Sequence, residues 1–127
     1  MKTKIKKIKK ILILLSLLIY VIGFSQEIEG FYRGYFINES TNFSISLKPS
    51  FSYTKYDGFC IEKLTFIKKY YNYSLYKETI TNPNDPCSDA YIKIYKQNNG
   101  DLYIEYSIDE EFSYITHSAI ARKIKNR

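Results

Sequence analysis

Ile28-Glu29-Gly30-Phe31-Tyr32-Arg33-Gly34-Tyr35-Phe36-Ile37 reads as the first strand of the folded chain. Its aromatic and β-branched residues suit a pleated, half-buried surface, and no helical period runs through it. Short segments of the same kind follow it at regular intervals, so the whole chain is read outward from this stretch as one antiparallel meander.

Residues 42–48 alternate cleanly, with Phe43, Ile45 and Leu47 on one face and Ser44, Ser46 and Lys48 on the other. That is the signature of a strand with one face buried. Pro49-Ser50 turns the chain, and residues 51–56 run back to a hairpin signal at Asp57-Gly58. In residues 59–67, Phe59 and Ile61 share one face before the apolar phase shifts to Leu64 and Phe66. The shift predicts a bulge near Glu62-Lys63. Residues 70–80 form the next strand, with Tyr71, Tyr73 and Leu75 in phase. Residues 81–89 are turn chemistry throughout and make the one long loop.

Strands at 90–97 and 102–108 flank the Asn98-Asn99-Gly100-Asp101 turn, and the second alternates with Leu102, Ile104, Tyr106 and Ile108 on one face against Tyr103, Glu105 and Ser107. Asp109-Glu110-Glu111 then leads into a last strand over 112–124. Eight strands on short sequential links favour an all-β up-and-down barrel, with a two-sheet β-sandwich as the alternative. Phe43, Ile45, Leu47, Leu102, Ile104 and Tyr106 are expected to line the interior or a ligand cavity within it.

Upstream, residues 1–10 hold six lysines and no acid, and residues 11–24 are apolar apart from Ser16, Tyr20 and Gly23. A basic head, a short apolar helix and small residues at Gly23 and Ser25 make a secretory signal peptide, cut between Ser25 and Gln26. The apolar run has 14 residues, whereas a membrane span needs ~20, so no stable membrane anchor is expected after cleavage. The division is therefore 1–25 signal peptide and 26–127 a single all-β domain, exported to the periplasm or the medium.

The charge follows from the same cut. The full chain is +6, but all six signal lysines leave, so the mature part has 13 basic and 13 acidic side chains. A balance of zero gives no reason to expect nucleic acid as a partner. Both cysteines, Cys60 and Cys87, lie in the exported part and are expected to form a disulfide. Closing that 28-residue loop stabilises the fold by about 3.5 kcal/mol on the chain-entropy account.

Gly30-Phe31-Tyr32, followed by Gly34, resembles the Gly-x-Trp opening of lipocalin-like barrels, with Tyr32 in the Trp position. Arg122 near the end of the last strand is similar to the Arg that packs over that aromatic in the family. The resemblance implies a barrel for a small apolar ligand. The ending Gly23-Phe24-Ser25-Gln26 likewise resembles the signal ends of exported Bacteroidota proteins.

Catalytic chemistry finds little support in the residues. His117 is the single histidine, and no nucleophile motif surrounds any serine. A disulfide would consume both sulfurs that a transition metal could use. Asn82, Asn84, Asp85 and Asp89 supply oxygens without a calcium-loop spacing. Asp109, Glu110 and Glu111 crowd a solvated turn, where acid–base work has no desolvated carboxyl to use. The expectation is a monomeric, non-catalytic binding protein without a cofactor, and no pair of carboxylates stands out as catalytic.

Tyrosine is abundant, fourteen in the chain, and supplies stiff, amphipathic contact area. Tyr70, Tyr71, Tyr73, Tyr91, Tyr95 and Tyr103 are the expected protein-binding face. Through it the chain would act as a protein-binding module, such as an inhibitor of a foreign hydrolase or an immunity-type protein, in place of a small-ligand carrier.

Overall fold

The computed structural model describes residues 28–58 and 60–124. The expected signal segment 1–25, its cut between Ser25 and Gln26, and Phe59 lie outside these residues. Eight strands follow in order: β1 (Gly30–Phe36), β2 (Asn42–Leu47), β3 (Ser52–Tyr56), β4 (Ile61–Lys69), β5 (Ser74–Ile80), β6 (Ala90–Lys96), β7 (Leu102–Ser107) and β8 (His117–Lys123). Each pairs antiparallel with the next, and β8 pairs back onto β1, closing the sheet into a barrel. Closure leaves no free sheet edge, and the sandwich alternative falls. No helix occurs among the described residues.

Alternation decides which side chains enter. Phe43, Ile45, Leu47, Ile92, Ile94, Leu102 and Ile104 are at most 1% exposed and fill the middle of the barrel. Gly34 of β1 and Ala119 and Ala121 of β8 are the small residues that make room for rings. A Cβ on Gly34 would lie 2.7 Å from Phe43 Cζ and 2.7 Å from the Ile120 carbonyl oxygen. Gly34→Ala is therefore expected to destabilise the barrel by about 1–3 kcal/mol through overpacking. Urea denaturation checks this, and an unchanged midpoint would mean that the Phe43 ring has somewhere else to go.

Three sequence expectations need correction. The apolar phase of β4 does not slip at Glu62-Lys63: Glu62 and Leu64 are both buried, Ile61 is exposed, and the irregularity falls between Phe66 and Lys68. Hydrophobicity made Ile61 the inward residue in the sequence reading, whereas pairing with β3 and β5 turns the glutamate in.

The strand expected from Tyr70 begins only at Ser74, because Tyr70 N–H closes a turn onto the Tyr73 carbonyl at 2.8 Å. The inward phase is Ser74, Tyr76 and Glu78, and Tyr71 is fully exposed.

The last strand begins at His117 in place of Phe112. The Asp109 carboxylate accepts from Ser113 N–H (3.1 Å), Ser113 Oγ (2.6 Å) and Ser107 Oγ (2.8 Å), and Phe112 takes a left-handed φ of 53°. These serine bonds hold the Asp109 carboxyl below the usual range and spend the segment's hydrogen bonds locally, which competes with a strand.

Arg122 also departs from the packing implied by resemblance. It stands opposite Arg33 on the outer face and meets Asp101 at 3.7 Å, with 76% of its side chain exposed. Tyr32 points inward, buried, and its hydroxyl donates to the Glu29 carbonyl at 3.2 Å. The basic residue on its face is Lys123, its register partner on β8.

Candidate functional site

Loops 37–41, 81–89 and 108–116 gather with the Asp57-Gly58 turn at one end of the barrel. Below them a cavity of about 470 Å³ opens to solvent. Its apolar wall includes Phe36, Ala90 and Ile108, and its floor holds two carboxyls, Glu62 of β4 and Glu78 of β5. Both glutamates are at most 2% exposed. Alternation and register place them there: Glu62 is opposite Ile80 and Glu78 opposite Leu64, so the acids are diagonal neighbours on the inner face.

Glu78 Oε2 accepts from Thr54 Oγ1 and from Tyr56 Oη, each at 2.5 Å. The Tyr56 and Tyr106 hydroxyls meet at 3.0 Å, which ties β7 into the same network. Glu62 hydrogen-bonds to Glu78 as well. Its Oε1 is buried without a hydrogen-bond partner among the described residues. Burial first, then the bond and the negative field of Glu78, raise the Glu62 pKa to about 10, with Asp89 and Asp85 adding to the effect. Glu62 is therefore a neutral acid at pH 7 that donates to Glu78. Donors converge on Glu78, which puts the single negative charge of the pair there. Burial also raises both tyrosines well above their ordinary range, so their hydroxyls stay protonated as donors.

The rim is polar. His117 Nδ1 contacts Glu39 Oε1 at 2.8 Å, and the imidazole lies edge-on to Phe36 at 5.6 Å. One wall is stapled: Cys60 and Cys87 are disulfide-bonded, with Cα atoms 6.4 Å apart. Cys87 lines the cavity and Cys60 is two residues from Glu62. Among the described residues, the cluster closest to a metal-ligand set is Cys60, Glu62 and Cys87, and the disulfide removes its thiolates.

The residues singled out from sequence fall in three places. Phe43, Ile45, Leu47, Leu102 and Ile104 are packed core, and Tyr106 alone of that set reaches the cavity. Of the two alternatives, these residues line the packed interior, and the open cavity lies beyond them at the barrel mouth. Tyr70, Tyr73, Tyr95 and Tyr103 form a continuous outer ladder, with ring centroids 4.7, 5.4 and 5.8 Å apart in turn. Lys93 lies 4.7 Å from the Tyr73 ring centre, and the Tyr95 hydroxyl donates to Glu105 at 2.8 Å. Tyr71 stands apart from the ladder, and Tyr91 sits under Lys77 at 5.7 Å.

Sequence reading missed Glu62, Glu78, Thr54 and Tyr56, and with them the carboxyl pair it judged absent. The signal was there: an acid two residues before Leu64 and four before Phe66, and another two residues after Tyr76, both on the inward phase. No protein-family model matches this chain, and no curated protein or solved structure matches it either.

Proposed function

We propose that this chain is an exported, non-catalytic binding barrel that takes the apolar part of a small molecule into its mouth cavity. The observation that carries this reading is an open cavity of about 470 Å³ above a buried, unfilled hydrogen-bonding position on Glu62. Ligand pockets of this kind are mostly apolar, with a few converging polar groups, and fall in the range of about 300–1,000 Å³. The buried disulfide fits an oxidising compartment, which supports export and the signal-peptide reading. Binding is favoured over hydrolysis because the two carboxyls touch, whereas glycosidase pairs stand ~5 Å or more apart so that the scissile bond or a water fits between them. The lipocalin-like relationship stays part of this proposal.

The test is titration with a neutral apolar dye such as Nile red. Saturable binding is expected, weakened at least tenfold in Ala90→Trp, whose side chain would enter the cavity beside Glu78. Circular dichroism confirms that the variant is folded. Absence of saturable binding to the wild type would defeat the reading.

A second reading rests on the tyrosine ladder, which suits a protein partner because aligned rings offer area at little entropic cost. It predicts stoichiometric inhibition in a panel of lysozymes and peptidases, lost in Tyr95→Ser. A panel without inhibition would remove its support.

A further inference from the structure

The charged groups lining the mouth cavity are unbalanced. Glu39, Glu62, Glu78 and Asp89 line it, and no Lys or Arg does so among the described residues. His117, the one basic side chain there, is already engaged with Glu39 at 2.8 Å. Taking a charge out of water without a partner is costly. The negative charge held by Glu62 and Glu78 has hydroxyl donors from Thr54 and Tyr56 but no counter-cation among the described residues that line the cavity. Around it stand the rings of Phe36, Tyr56 and Tyr106, whose π faces attract cations.

We propose that the natural ligand is an organic cation, an ammonium carried on an apolar body, whose N–H donates to Glu62 Oε1 and whose charge offsets that of the Glu62–Glu78 pair. This rests on the binding-barrel reading and goes further by naming the head group. The three features have separate tasks. The apolar wall accepts the body, the rings stand beside the cation, and the Glu62 oxygen accepts a hydrogen bond that no described residue supplies. A bare metal ion would use neither the rings nor the apolar wall. An anionic head group would meet four carboxyls and only one basic group, already paired.

Three probes of one chain length separate the possibilities: decylammonium, decanol and decanoate, each titrated below its micellar concentration by calorimetry at pH 7. Decylammonium is expected to bind at least tenfold more tightly than decanol, with decanoate weakest. Glu78→Gln should bring decylammonium and decanol within about threefold of each other. Ala90→Trp should weaken decylammonium and decanol alike, which separates cavity binding from attraction to surface carboxylates.

If decanol binds the wild type as tightly as decylammonium, or decanoate more tightly, the cation proposal is overturned while the apolar-ligand reading stands. If none of the three binds saturably, both fall. Because the decisive comparison uses the wild type, it does not depend on any variant folding.

Discussion

Above pH 5 the barrel is expected to lose stability by about 1.4 kcal/mol for each pH unit, and Glu62→Gln should remove most of that slope. The cause is the difference between a glutamate in water and Glu62 in the barrel. In the unfolded chain it gives up its proton near the ordinary value of 4.5, and in the folded chain it holds it to about 10. Below pH 4.5 both states bind the proton and the group adds no pH dependence. Between the two values only the folded state binds it, so each rise of one unit favours unfolding by about 1.4 kcal/mol. Above pH 10 both states are ionised and the slope ends.

The measurement is urea denaturation at pH 5, 6, 7 and 8 for the wild type and Glu62→Gln. Amide for acid keeps the shape of the neutral side chain, so the variant should gain on the wild type as pH rises. Across those three units the difference should approach 4 kcal/mol, reduced if Glu78 and Glu62 redistribute their shared proton. Parallel stability curves would show that Glu62 ionises in the folded barrel as it does in water. The charge assignment at the cavity floor would then have to be revised.

Removing the Cys60–Cys87 bond should cost about 3.5 kcal/mol, since the bond closes a loop with 27 residues of separation. In a domain of this size that lowers Tm by roughly 15–25 °C. Cys60→Ser/Cys87→Ser, compared with the oxidised wild type by thermal and urea unfolding, measures it directly.

The position of the staple adds a functional consequence. Cys60 belongs to the core and Cys87 lines the cavity, so the bond holds the 81–89 loop against the wall that carries Glu62. Other contacts of this loop are lighter: Thr81 Oγ1 donates to the Ile61 carbonyl at 2.9 Å, and Asp89 accepts from Ile80 N–H at 3.0 Å. Dye binding should therefore weaken in the double variant even at temperatures where it stays folded. A loss below 1 kcal/mol with unchanged dye affinity would mean that these hydrogen bonds alone hold the loop.

The strands themselves were legible in the chain. Alternation at Phe43, Ile45 and Leu47 and at Leu102, Ile104 and Tyr106 is a period-two pattern that each strand carries alone. Turn residues such as Asp57-Gly58 and Asn99-Gly100 mark the hairpins locally, with Gly58 and Gly100 at positive φ. Two cysteines in a chain with a secretory leader pattern point to one bond without reference to the fold. In each case the physical cause lies within a few residues of the signal.

The site is different, because its parts become neighbours only when the barrel closes. Thr54 and Tyr56 lie 24 and 22 residues from Glu78, and Tyr106 lies 50 from Tyr56. Taken singly, Glu62 looked like a break in the pattern of an apolar strand. Pairing β4 with both β3 and β5 made it an inward residue and brought it against a second acid. The sequence by itself determined the meander, its turns and most of its core. Tertiary structure alone decided that two glutamates would share one proton under an open mouth. A buried charge depends on what surrounds it in three dimensions, and no stretch of this chain holds those surroundings together.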